Sequence, residues 1–230
     1  MRPETTDQPV QVNVMRRVLA SNDALAASQL AVLDRYGVLG LNIMSGPGAG
    51  KTSIVERTVE ALGSKHRIYV IEGDIQGSID AERVGVRGVP VTQINTQGAC
   101  HLDAMMMSSV FPEIDFSLVD LLLIENVGNL VCPAEFNLPA HYNVTVISTP
   151  EGSDKPVKYP LMFSKSDIVI VNKTDLLPYV DFDAEQLIQA IHRIKPGMPV
   201  IQVSAKTGQN IGQWIEWVEQ QLADRKRRRA

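Results

Sequence analysis

Aromatic residues make up only 5% of this chain of 230 residues, cysteine occurs twice and histidine four times. Each shortage excludes something. With 44% hydrophobic residues but few rings, the core must be aliphatic, and the length suffices for one sizeable core. Two cysteines do not make a disulfide-knitted secreted scaffold. Long apolar runs are also missing: Leu118 to Ile124 is broken by Asp120 and falls far short of the roughly 20 residues a spanning helix needs. A net charge of −4 leaves no basic footprint for nucleic acid, and the one dense basic run, Arg225-Lys226-Arg227-Arg228-Arg229, reads as a solvated tail. Met1 to Val10 carries no secretory signature, so a cytoplasmic protein that contacts neither membrane nor nucleic acid is expected.

What is present alternates between apolar runs and amphipathic stretches. Strands are predicted at about Gly40–Met44, Arg67–Ile71, Val91–Ile94, Leu121–Glu125, Asn143–Ser148, Asp167–Val171 and Val200–Val203. A helix from Val10 to Tyr36 precedes them, and others are predicted at Ser53–Leu62, Ser78–Val84, His101–Val110, Asp183–Ile194 and Asn210–Ala223. Such alternation implies a mostly parallel sheet covered on both faces.

The first predicted strand runs into Ser45-Gly46-Pro47-Gly48-Ala49-Gly50-Lys51-Thr52. Small residues between a strand and a helix let backbone N–H groups of Gly46, Gly48, Ala49, Gly50 and Ser53 surround a phosphate. Lys51 can neutralise the β and γ phosphates, and the Thr52 hydroxyl can ligate Mg²⁺. Ser45 stands where the general pattern has glycine. The fold class that follows is a P-loop NTPase, a three-layer α/β/α arrangement with an N-terminal helix. Residues 1–9 are expected to be a loose N-terminus, 10–224 a single nucleotide-binding domain and 225–230 a basic tail.

The base is read elsewhere. Asn172-Lys173-Thr174-Asp175 follows a predicted strand and has the N-K-x-D pattern of guanine-specific NTPases. A carboxylate at Asp175 can accept two hydrogen bonds from the guanine edge, whereas adenine presents an acceptor that repels it. Lys173 is expected to lie over the base and Asn172 to tie this loop to the phosphate loop. Ser204-Ala205-Lys206 follows the last predicted strand, with the Ala205 N–H expected at guanine O6. The order of these motifs points to GTP and GDP rather than adenine nucleotides.

Between the two motif groups lie the segments expected to sense the γ-phosphate. Glu72-Gly73-Asp74 can bring Asp74 to Mg²⁺ directly or through water, the alternative being a helix or turn cap. Glu125-Asn126-Val127-Gly128-Asn129 resembles the D-x-x-G motif of GTPases, with Glu125 in the acidic place and the Gly128 N–H aimed at the γ-phosphate. Cys132 follows it closely, and Cys100 is followed at once by His101. Taken by themselves these are either buried apolar thiols or a metal site. Three ligands fall one short of a closed zinc set, so a metal site would be shared between protomers or completed by water or another side chain. His66, His141 and His192 read as surface or packing residues, and Met105-Met106-Met107 as helix packing, because adjacent helical residues point in different directions.

Five blocks together resemble one family. They are Leu41-Asn42-Ile43-Met44-Ser45, Ile71-Glu72-Gly73-Asp74, Gly98-Ala99-Cys100-His101-Leu102-Asp103-Ala104, the run from Ile124 to Ala134, and the run from Glu151 to Pro160. They are similar to the HypB family, the nickel-incorporation GTPases of [NiFe]-hydrogenase maturation, in which a serine also opens the phosphate loop. The resemblance implies a GTPase, and the motifs put Lys51, Thr52, Asp74 and Glu125 at the centre of hydrolysis, which is expected to be slow because no arginine finger or attacking-water residue can be assigned. The resemblance also implies that Cys100, His101 and Cys132 bind Ni²⁺ or Zn²⁺ at the interface of a homodimer that depends on GTP or metal. The implied partners are another maturation factor and the hydrogenase large-subunit precursor. Met1 to Val10 holds neither Cys nor His, so nickel storage is not expected. Two other readings stand beside it. One is a urease-accessory nickel GTPase, whose Cys-Pro-His this chain lacks, having Ala99-Cys100-His101. The other is a metal-binding module whose nucleotide site is not catalytic.

Overall fold

In the computed structural model, residues 14–74, 79–85 and 87–229 are described. The expected loose N-terminus, the first residues of the N-terminal helix, Ser78 and Ala230 lie outside them. Eight α-helices among the described residues are α1 (Val14–Tyr36), α2 (Lys51–Leu62), α3 (Ile79–Gly85), α4 (Ala104–Ser108), α5 (Lys155–Lys158), α6 (Pro160–Lys165), α7 (Ala184–Ile194) and α8 (Ile211–Arg229). The strands are β1 (Leu39–Ser45), β2 (Ile68–Asp74), β3 (Val91–Asn95), β4 (Leu121–Gly128), β5 (Tyr142–Ser148), β6 (Ile168–Asn172) and β7 (Val200–Gln202).

The seven strands form one sheet in the order β3-β2-β4-β1-β5-β6-β7, and every pairing is parallel. Parallel strands covered on both faces need apolar residues on both, which is why β1 and β6 are buried along their whole length. Side chains still alternate between the faces. Leu39, Leu41 and Ile43 of β1 and Leu121 and Leu123 of β4 pack with Ile54, Val59, Trp214 and Val218 of α2 and α8. Leu122 and Ile124 of β4 point the other way, toward Leu33 of α1 and toward Leu102 and Met107. A third cluster, around Phe163, Val169, Val171, Leu187 and Ile191, seats α6 and α7. The Trp214 indole donates to Thr58 Oγ1 at 2.8 Å, satisfying the one polar atom of the largest buried side chain.

Several elements differ from the sequence expectation: β4 runs on from Glu125 to Gly128, and α5 and α6 have no counterpart in it. The helix expected over His101–Val110 forms only at Ala104–Ser108. Asp103 caps it by accepting from Met106 N–H, which holds Cys100 and His101 outside the helix in a loop. The strand expected to stop at Ile71 continues to Asp74, pairing with β3 throughout. Residues 225–229, expected as a solvated tail, continue α8. There Arg225 donates to the Val38 carbonyl at 2.7 Å and to Asp34 at 2.6 Å, tying α8 to the α1–β1 junction. Among the described residues no helix is long and apolar enough to cross a membrane.

Candidate functional site

The ends of β1, β2 and β4 lie side by side, and the functional loops leave from them. Buried Ser45 closes β1, and its hydroxyl accepts from Lys51 Nζ at 2.9 Å while donating to the Gly46 carbonyl at 2.5 Å. Gly50 has φ +99°, a left-handed conformation that side chains resist, and it lets α2 start abruptly at Lys51. The first N–H groups of α2 are thereby turned toward the loop, the arrangement that binds phosphate.

Glu125 sits on β4 in register with Ile43 of β1 and is 3% exposed. Its Oε1 accepts from Thr52 Oγ1 at 2.7 Å. The Thr52 hydroxyl at the mouth of the phosphate loop and the Asp74 carboxylate that ends β2 are hard oxygen donors of the kind Mg²⁺ takes, so these two fit that ion, with Glu125 behind the hydroxyl as its acceptor. Half-buried Asp74 ends β2, the next strand out. Gly128 closes β4 against the loop: a side chain there would come within 3.1 Å of Pro47 Cα and 3.4 Å of Lys51 Nζ.

The base-reading residues surround a cleft of about 680 Å³ lined by Gly50, Ser53, Asn172, Lys173, Asp175, Ala205 and Lys206, among others. Asn172 donates to the Ala49 carbonyl at 2.9 Å and accepts from Ala205 N–H at 3.0 Å, so it ties all three motifs together. The N–H expected at guanine O6 is thus donated to Asn172 here. Lys173 reaches back to the Gly48 carbonyl at 2.6 Å, and Ser204 donates to Asp175 Oδ1 at 2.6 Å. Arg57 of α2, which sequence reasoning did not single out, donates to the carbonyls of Ala205 at 2.7 Å and Lys206 at 3.1 Å.

Cys100, His101 and Cys132 converge, with their ligand atoms all within 4.8 Å of one another. The Cys100 thiol lies 2.7 Å from Cys132 Sγ and its sulfur 3.7 Å from His101 Nδ1. Two sulfurs and an imidazole suit the borderline-soft cations Ni²⁺ and Zn²⁺. The hydrogen bond shared with Cys100, in which Cys132 keeps the proton, and then burial push the Cys132 thiol up to about 11. Burial holds His101 below its ordinary value, against the pull of Asp103 and Glu135. Its ring stacks on Phe136, with centroids 3.9 Å apart and planes 22° from parallel. Among the described residues no other group of three His, Cys, Asp or Glu side chains is placed to hold a metal.

Helix α1 supports this loop. Asn22 accepts from Ala104 N–H at 2.8 Å and donates to the Asn137 carbonyl at 2.9 Å, next to Phe136. Gln29 donates to the Ala104 carbonyl at 2.8 Å and to Ser108 Oγ at 2.9 Å. Behind the metal loop runs a buried amide chain that the motifs did not disclose. Asn126 accepts from Leu102 N–H at 3.0 Å and Val127 N–H at 2.9 Å and donates to Asn42 at 3.1 Å; Asn42 donates to Asn143 at 2.9 Å. The signal available in sequence was Asn42 itself, a polar residue inside the apolar run of β1.

Residues 40–202 match the CobW/HypB/UreG nucleotide-binding domain. The chain is 45% identical to the hydrogenase maturation factor HypB of Azotobacter vinelandii, over 96% of this chain and 73% of that protein. Among solved structures, HypB from Helicobacter pylori in complex with nickel superimposes with TM-score 0.83 at 36% identity, covering 89% of this chain and 96% of that one. HypB from Archaeoglobus fulgidus gives TM-score 0.82 at 38% identity, covering 89% and 100%.

Proposed function

This chain belongs to the HypB hydrogenase maturation factors of the CobW/HypB/UreG nucleotide-binding group, and from that premise we propose that it is a GTP-hydrolysing metallochaperone carrying nickel toward a [NiFe]-hydrogenase precursor. The observation that carries this reading is positional. The Cys100–His101–Cys132 cluster hangs from loops that follow β3 and β4, and β4 itself delivers Glu125 to Thr52 and Gly128 to Lys51. A ligand set so placed feels whatever the γ-phosphate does to the end of β4.

In this reading the backbone of residues 46–53 and Lys51 hold the phosphates, Asp175 selects guanine, and Thr52 with Asp74 would hold Mg²⁺. That ion supplies charge neutralisation at the β and γ phosphates when bound. Glu125 orients the Thr52 hydroxyl, and the Gly128 N–H answers the γ-phosphate. The GTP state orders residues 125–132 and with them Cys132 relative to Cys100 and His101. Hydrolysis relaxes that geometry, and Ni²⁺, or Zn²⁺ in its place, is released to a partner maturation factor or the precursor. Three ligands per chain favour a site completed across a homodimer, and the resemblance to the family supports a cytoplasmic setting.

Phosphate release tests the catalytic half. GTP should be turned over slowly and ATP not, and Lys51→Ala should abolish turnover. Release that is indifferent to Lys51→Ala would leave only a metal-binding module with a silent nucleotide site. On the metal side, Cys132→Ala should abolish tight nickel binding while GTP binding persists.

A further inference from the structure

Adjacent residues of β4 face opposite ways. Glu125 points to the phosphate loop, and Asn126, fully buried, points to the loop that carries Cys100 and His101. The geometry points to Asn126 as the positioning residue that converts the nucleotide state into metal-site geometry, an inference that rests on the nucleotide-gated reading above.

The metal ligands ride on two separate segments. Cys132 follows Gly128 by four residues of the same chain segment, whereas Cys100 and His101 lie on the loop between β3 and α4. If the Cys100–His101 loop were free to drift, a displacement of residues 128–132 would carry it along through the metal, and ligand geometry would not change. Asn126 prevents that drift. One carboxamide oxygen accepts the N–H of Leu102, next to His101, and the N–H of Val127, just before the moving segment. Its amide nitrogen is grounded on Asn42, three residues before Ser45 in the same strand, and Asn42 is held in turn by Asn143 of β5. The Leu102 side chain seats over Gly73, one residue before Asp74, which closes the other side of the joint. Asn42 and Asn126 are at most 1% exposed, so water does not compete for these bonds, and neither residue can be lost without leaving buried groups unpaired. A fixed point at Leu102–Val127 makes any shift of Gly128 toward the γ-phosphate a change in the distance from Cys132 to Cys100 and His101.

The test is a Ni²⁺ titration of the full chain in its GDP-bound and non-hydrolysable-GTP-bound states, for wild type, Asn126→Ala and Asn42→Ala. Wild type should show an affinity ratio between the two states of about 5- to 150-fold, the usual size of coupling between distinct sites. In Asn126→Ala the ratio should fall toward one, while nucleotide is still bound and Ni²⁺ is still held by the same three side chains. Asn42→Ala leaves the Asn126 oxygen accepting from Leu102 and Val127 N–H and removes only the acceptor of its amide nitrogen, so it should lower the ratio less. Should Asn126→Ala not fold, a reduced ratio in Asn42→Ala supports the pivot and an unchanged one overturns it. A wild-type ratio kept in both folded variants overturns the pivot alone. A ratio of one in wild type removes the nucleotide-gated reading and the pivot with it.

Discussion

Asp175 and Cys132 show how single residues set what each site can hold. The Ser204 hydroxyl donates to one oxygen of Asp175 and fixes the plane of the carboxylate at the cleft. Replacing it with an amide substitutes a donor for an acceptor opposite the guanine N–H groups. Asp175→Asn should weaken GTP by roughly 10- to 100-fold, the value of a hydrogen bond to a charged group, and should raise the relative affinity for xanthosine triphosphate. Competition between the two nucleotides measures this. In the proposed metal site Cys132 should contribute to the pH dependence of binding. Its thiol is pushed up to about 11, chiefly by the Cys100 hydrogen bond, so at neutral pH it carries a proton that a metal must expel. Apparent nickel affinity should therefore rise with pH, about tenfold per unit for each proton released. His101, held below its ordinary value by burial, is already neutral near pH 7 and should add to the slope only on the acidic side. Titrations from about pH 6.5 to 8.5 with proton release recorded in parallel check both signs.

At the scale of elements, α1 matters through two polar hooks rather than through its apolar stripe. Asn22 and Gln29 reach across to α4, and Asn22 also grips the segment that carries Phe136, the ring on which His101 stacks. Asn22→Ala should cost about 10- to 100-fold in nickel affinity, as outer-shell supports of a metal site typically do, with GTP affinity unchanged. A parallel loss of GTP affinity in that variant would mean that α1 supports the fold as a whole. The same elements show what was legible in advance. The inner strands could be read because parallel strands buried on both faces are nearly continuous apolar runs, while the edge strand β3, Val91-Thr92-Gln93-Ile94-Asn95, shows only a short β-branched pattern; the phosphate and base motifs could be read because each follows a strand. The helix at His101 could not be placed, because its start is set by the Asp103 cap and by the tie from Leu102 to Asn126. Asn126, Asn42 and Arg57 escaped motif reasoning for a related reason. Asn42 leaves a trace, a polar residue inside an apolar run, but what these three side chains bond exists only once strands and loops distant in sequence are paired.

At the scale of the whole molecule, the carboxyl end of the sheet carries nucleotide loop, base cleft and metal ligands together. Apolar side chains stay exposed on α5, on α6 and on the helical turn after β6: Val157 at 72%, Leu161 at 44% and Tyr179 at 82%. Large apolar residues left exposed in this way are a candidate contact for a second copy of the chain. Tyr179→Asp should shift sedimentation in the GTP state toward the monomer. An unchanged sedimentation pattern would rule this surface out as a contact between copies. A metal site completed across that dimer has a distinct stoichiometry, because two three-ligand half-sites can share a single ion.

The most direct measurement is nickel release followed in real time. The protein is loaded with Ni²⁺ in the presence of a non-hydrolysable GTP analogue and Mg²⁺, then exchanged into GDP with a chromogenic nickel chelator present. If β4 couples the two sites, the analogue-bound protein should retain its nickel and exchange into GDP should pass it to the chelator, with metal per protomer changing between the states. Equal retention in both states would contradict the account, leaving a guanine-nucleotide site and a nickel site on one sheet with no traffic between them.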